Sequence, residues 1–264
     1  MQKTINNINV FTDGDNKNMP IILVHGFPFD HFMWDAQVTE FGGEYYCVRY
    51  DIRGLGSSPV GDGQLTMEMF VDDLEIIVNE LKLEKPILCG LSMGGYISLR
   101  AAERMQKKFS ALILCDTKSA ADDNEGRLKR ATAIQQINSG DFDGFVEAFV
   151  LNCFGEKFVR ENNTEYRKIV ERSKKNSPIG VKGCLLAMAG RTDTTGYLSK
   201  IKLPTLVVCG SEDKLSPPNV MKAIADQIPN SKFVIVEGSG HMTPIENLQM
   251  VNKSIKEFLL KNKM

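Results

Sequence analysis

Pro86-Ile87-Leu88-Cys89-Gly90-Leu91-Ser92-Met93-Gly94-Gly95-Tyr96-Ile97-Ser98-Leu99-Arg100-Ala101-Ala102 reads as a buried strand, a sharp turn and a helix in immediate succession. A serine presented as a nucleophile has to sit on such a turn. There the flanking backbone approaches its neighbours too closely for a β-carbon, and glycine two residues before and two after Ser92 leaves the room. In a chain with 22 glycines the five-residue pattern alone is weak evidence. The strand before it and the helix after it give it weight.

Outward from this turn, short aliphatic runs alternate with helical patterns. The runs are Ile21–Val24, Tyr45–Tyr50, Ile87–Cys89, Ala111–Cys115, Thr205–Cys209 and Phe233–Val236. Each is mostly apolar rather than alternating, as expected of strands covered on both faces in a mostly parallel sheet. Met67, Phe70, Leu74, Ile77 and Leu81 recur at three- and four-residue steps behind Thr66, which predicts a capped helix over 66–82. Leu248, Val251, Ile255 and Phe258 predict a packed C-terminal helix in the same way. Strand–helix alternation of this kind implies a doubly wound α/β sheet.

One block breaks the rhythm. Residues 118–199 hold no strand-like run, only helical patterns: 124–138, 141–153, a polar one from about 157 to 175, and 178–189. The expectation is a core of 1–117 and 200–264 with 118–199 as a helical insertion over the sheet.

Bulk properties are those of an ordinary globular chain: 264 residues, 42% hydrophobic, 25% charged, net charge −1. That balance offers no footprint for nucleic acid or an anionic membrane. The basic clusters Arg127–Lys129–Arg130 and Arg172–Lys174–Lys175 read as solvated helix faces. The polar amino terminus carries no secretory signal pattern, and no apolar stretch reaches membrane-spanning length. The six cysteines are scattered without metal or disulfide spacing, which fits a reduced, cytoplasmic protein. Self-association is left open.

A serine hydroxyl needs a base within hydrogen-bond reach. Among three histidines, His241 in Gly238-Ser239-Gly240-His241 follows the last strand, at the strand edge where open α/β sheets collect ligands. The imidazole needs a carboxylate to fix its tautomer. Asp213 follows the preceding strand and is favoured over the adjacent Glu212 and over Asp116, which follows the strand after the turn. The order Ser92, Asp213, His241 is the one the motif requires. Two main-chain donors complete the set: the amide of Met93, next to the serine, and that of Phe27 in His25-Gly26-Phe27-Pro28.

With these residues in place, the chain resembles the α/β-hydrolase superfamily. The ordered landmarks are Val24–Pro28, Asp51-Ile52-Arg53-Gly54-Leu55-Gly56-Ser57-Ser58, Gly90–Gly95, Gly210–Asp213 and Gly240-His241. Within it, the chain looks most similar to small cofactor-free esterases, enol-lactone hydrolases and proteins called non-haem haloperoxidases. The resemblance implies the α/β-hydrolase fold: a mostly parallel eight-stranded sheet with flanking helices, and a helical cap after the sixth strand. It places Asp51 and Arg53 in an architectural loop.

The expected activity is hydrolysis of a carboxylic ester or lactone of a small, apolar molecule, with no metal and no cofactor. Phe29, Trp34, Phe145 and Met188 are the candidate pocket residues, while most cap aromatics read as internal packing. A carbon–carbon bond hydrolase or lyase using the same three residues, and a non-catalytic ligand-binding scaffold, are the alternatives. Dehalogenase chemistry is disfavoured because those relatives carry aspartate where this chain has Ser92.

Overall fold

The computed structural model describes residues 1–264. Eight strands form one sheet: β1 (Gln2–Ile5), β2 (Ile8–Asp13), β3 (Pro20–Val24), β4 (Tyr46–Tyr50), β5 (Ile87–Leu91), β6 (Ala111–Cys115), β7 (Thr205–Gly210) and β8 (Ser231–Val236). Their spatial order is β1-β2-β4-β3-β5-β6-β7-β8, with β1, β2 and β4 joined antiparallel and the rest parallel. Strands β3 to β7 are buried along their whole length, which is why their sequences are continuously apolar.

Between the strands run α1 (Asp35–Phe41), α2 (Met67–Glu80) and α3 (Met93–Met105). After β6 come α4 (Asn124–Asn138), α5 (Phe142–Cys153), α6 (Glu156–Glu161), α7 (Asn163–Ser173) and α8 (Pro178–Ala189). Beyond β7 lie α9 (Pro218–Gln227), α10 (Thr243–Glu246) and α11 (Leu248–Lys261). Thr66 caps α2 by accepting from the Met69 amide at 3.2 Å. Val146, Val150, Val181 and Leu185 from α5 and α8 belong to the same continuous core as the sheet.

The structure adds to the sequence reading at three places. The aliphatic runs number six, and the first two strands escape them. In β2 only alternate residues are buried, and β1 is an exposed edge, so neither produces an apolar run. The polar stretch 157–175 is two helices, α6 and α7, which bury Phe158 and Val170. The Arg172 cluster is more than a solvated face. The Arg172 guanidinium lies 3.2 Å over the Phe32 ring and pairs with Asp30.

Candidate active site

Ser92 stands at the junction of β5 and α3 with φ 53° and ψ −114°, outside the conformations a side chain ordinarily allows. Such a residue stores on the order of 1–3 kcal/mol and persists only where its surroundings hold it. Here the Ser92 amide donates to the Cys115 carbonyl at 3.0 Å. Its own carbonyl accepts from the Thr117 hydroxyl at 2.7 Å and the Tyr96 amide at 3.0 Å. A β-carbon at Gly94 would fall 2.2 Å from the Val24 carbonyl oxygen, and one at Gly90 2.3 Å from that of Gly94. The elbow therefore requires glycine at both positions.

Asp213 and His241 meet beside the sheet's carboxyl edge, on the loops after β7 and β8. His241 Nδ1 lies 2.8 Å from Asp213 Oδ2, and both side chains are buried. Asp213 Oδ1 accepts from the amides of Leu215 at 2.8 Å and Ser216 at 2.9 Å. Burial alone pushes this carboxyl up, but the His241 charge, its hydrogen bond and the two amides outweigh it, so Asp213 is held below the usual carboxylate range. Glu212, the neighbour weighed against it, is exposed.

With Nδ1 donating to Asp213, the second ring nitrogen is left as the acceptor. His241 Nε2 is buried and makes no hydrogen bond, so Ser92 is not bonded to the ring. Catalytic hydrogen bonds are often long before substrate binds. The remaining histidines are occupied elsewhere. His25 accepts from the Ile52 amide at 2.8 Å, and burial pushes its pKa down. His31 pairs with Asp51 at 2.7 Å. Burial pushes the Asp51 carboxyl up, yet His31, His25 and the Ser57 amide hold it well below the ordinary range. Arg53 pairs with Asp73 at 2.6 Å, so both loop residues do serve architecture.

The turn carrying Phe27 abuts the elbow. A β-carbon built on Gly26 would lie 3.3 Å from the Ser92 β-carbon. The Phe29 amide closes this turn onto the Gly26 carbonyl at 3.0 Å. Met93 is the first residue of α3, where an amide has no acceptor within its own helix and the helix dipole favours negative charge.

Of the four expected pocket residues, Phe145 joins an aromatic group at this turn. Phe27 meets Phe149 edge-on at 5.1 Å and Phe145 at 6.4 Å. Phe154, just past the end of α5, stacks on Phe158 of α6. Met188 is almost wholly buried in α8, and Trp34 is wholly buried. Phe29 lines a cavity of about 620 Å³ between the 28–36 segment, α7 and the 244–248 segment. Ser92, Asp213 and His241 do not line that cavity, so it is the chemistry rather than the volume that marks the site.

Two groups bring three metal-ligating side chains together: Asp30, His31 and Asp51, and Asp116, Cys209 and Asp213. In both, the carboxylates already serve protein partners. Asp30 holds Arg172 and the Phe32 amide, and Asp116 holds the Gly210 amide and the Thr243 hydroxyl. The role of Asp116 as a buried neighbour of Asp213 was not legible in sequence, where it figured only as a rival for the same task. All six cysteines are buried and unpaired. No helix is long and apolar enough to cross a membrane.

Comparison with known proteins agrees with this architecture. The model of the alpha/beta hydrolase fold family matches residues 19–248. The chain belongs to that family. A thermophilic esterase from Thermogutta terrifontis superposes on this α/β hydrolase with a TM-score of 0.94 and 34% identity, each chain covered completely. The 3-oxoadipate enol-lactonase 1 of Acinetobacter baylyi is 26% identical over 90% of this α/β hydrolase and 88% of its own length. A non-heme chloroperoxidase of Kitasatospora aureofaciens is 28% identical over 98% of both. These names support hydrolase activity, on esters in the broad sense.

Proposed function

We propose that the chain is a serine hydrolase that cleaves a carboxylic ester or lactone of a small apolar substrate through an acyl-enzyme. The observation that carries this reading is the His241–Asp213 pair at 2.8 Å, with the second imidazole nitrogen uncommitted, on the sheet edge where the strained Ser92 elbow emerges. Kinship with an esterase and an enol-lactonase supports the substrate class.

In the first step, Ser92 Oγ forms a bond to the ester carbonyl carbon while its proton passes to His241 Nε2. The amides of Phe27 and Met93 receive the negative charge that develops on the carbonyl oxygen. Collapse expels the alcohol, which takes the proton from His241. Water, losing a proton to the same nitrogen, then attacks the acyl-enzyme and releases the acid and the serine. Asp213 keeps the ring in the required tautomer and offsets the imidazolium charge. Residues 118–199 act as a cap, and Phe145 and Phe149 on it close an apolar acyl site over Phe27. The reaction draws on no metal or cofactor.

The test is covalent labelling. A fluorophosphonate probe should modify wild-type protein and leave Ser92→Ala unmodified, with hydrolysis of short p-nitrophenyl esters lost in parallel. Wild-type esterase rates in Ser92→Ala would refute the assignment.

A further inference from the structure

The three consecutive amides around the base are all tied down, and one carboxylate holds two of them. Glu246, the last residue of α10, accepts through Oε2 from the Gly240 amide at 3.0 Å and through Oε1 from the Met242 amide at 3.0 Å. The amide between them, that of His241 itself, donates to the Cys153 carbonyl at 2.8 Å. Glu246 Oε2 also accepts from the Gly155 amide at 2.8 Å. The base loop is thereby fastened twice to the 153–155 segment between α5 and α6. The packing there is close: a β-carbon on Gly240 would lie 2.5 Å from the Gly155 nitrogen.

We propose that Glu246 is a positioning residue for His241. Its carboxylate fixes the base loop against the junction of α5 and α6, and so holds the ring where each proton transfer needs it. This rests on His241 being the base. Burial pushes the Glu246 carboxyl up from its ordinary value, opposed by the three amides and by the His241 charge. The amides this buried carboxylate holds include those on either side of the base, so the position of the base depends on it.

The experiment compares wild type, Glu246→Gln and Glu246→Asp as full-length protein, with p-nitrophenyl butyrate as substrate across pH. Gln keeps the size, removes the charge and sets an NH2 against amide donors. The expected result is a kcat lowered roughly ten- to a hundredfold with KM within about twofold, as displacement of a catalytic group produces. Asp keeps the charge but is too short to hold Gly155 and the base loop together, so it should lose kcat in the same way with KM unmoved.

A Glu246→Gln protein with wild-type kcat overturns the proposal. A loss that falls on KM as much as on kcat, or that only follows a lowered melting temperature, also overturns it, since that is a structural tie alone. If Glu246→Gln does not fold, Glu246→Asp decides by the kcat–KM split. Its shorter side chain cannot reach Gly155 and the base loop together, so wild-type kcat there sinks the idea. Fluorophosphonate labelling of the wild type separates the two layers. Absent labelling refutes the serine–histidine reading, whereas labelling with unaffected Glu246 variants refutes only the positioning role.

Discussion

Asp116 and Asp213 bring carboxylate oxygens within 4.8 Å of one another, yet their proton affinities are driven in opposite directions. Burial and the charge of Asp213 raise Asp116 well above the usual range, while His241 and two amides hold Asp213 below it. Two like charges this close and this buried are not both retained. Of the two, Asp116 is the one whose protonated form is favoured. It holds the Gly210 amide at 2.9 Å and the Thr243 hydroxyl, two groups flanking the acid and base loops.

Replacement of each acid by its amide should therefore have opposite consequences. Asp213→Asn presents an NH2 to Nδ1, forces the wrong tautomer and should lower kcat by about 10⁴. Asp116→Asn can accept from Gly210 and donate to Thr243, so kcat should remain within a few-fold of wild type. The sign for stability follows from linkage. A carboxyl whose folded pKa is raised stabilises fully only below its unfolded pKa, and that contribution is lost as pH rises through the folded value. Asp116→Asn should therefore melt higher than wild type at pH 7–8 and show no gain at pH 4. A relief of about 1 kcal/mol corresponds to roughly 2–4 °C. Melting curves at the two pH values check it.

Gly94→Ala should damage both fold and activity. The added methyl meets the Val24 carbonyl oxygen at 2.2 Å and that of His25 at 2.8 Å, and neither can swing away as a side chain tip could. Relief requires α3 to withdraw from β3, carrying Ser92 with it. Overpacking of this kind costs about 1–3 kcal/mol or more. Gly196→Ala, where a β-carbon meets nothing within 4 Å, is the control and should leave the melting temperature unchanged. Calorimetry and labelling of Ser92 measure the two effects.

The elbow was readable because its constraint is local: strand, two glycines, serine and helix lie in one stretch. Asp213 and His241 were readable because each closes a continuous apolar run at the same sheet edge. The β1–β2 hairpin was not, although Asn6-Asn7 carried a signal. Both asparagines adopt positive φ, 48° and 62°, the conformation two-residue hairpin turns demand. Glu246 and Asp116 were opaque for a different reason. Their partners are backbone amides and a hydroxyl distant in sequence, and residue type alone does not reveal which loop a carboxylate will hold. The same limit explains Arg172, whose cluster looked solvated because Phe32 and Asp30 lie about 140 positions away.

Asn176 and Arg172 clasp the 28–32 segment, and their loss should be felt at the elbow. The Asn176 side chain donates to the Pro28 carbonyl at 2.7 Å and accepts from the Gly56 amide at 2.7 Å. Asn176→Ala strands both groups and should destabilise by about 1–3 kcal/mol. Arg172→Ala loses a partly exposed ion pair and a cation–π contact, about 0.5–1 kcal/mol. Because Pro28 adjoins Phe27, Asn176→Ala should also slow Ser92 labelling, while Arg172→Ala should not. Denaturant melts and labelling rates separate the pair.

The last expectation concerns acyl selectivity. Phe27, Phe145 and Phe149 form a mutual set with centroid separations of 5.1–6.4 Å, and Phe149 is only partly buried, so its ring can be removed without emptying the core. Phe149→Ala should open space next to Phe27 and shift preference from short to longer acyl chains. Each methylene accommodated in an apolar site is worth about 1–3 kcal/mol in kcat/KM. The ratio of p-nitrophenyl octanoate to butyrate hydrolysis should thus rise by about tenfold or more. Phe154→Ala removes a ring stacked on Phe158 instead, and should lower stability without moving that ratio. An unchanged ratio in Phe149→Ala would mean that these rings pack the helices and do not touch the acyl chain.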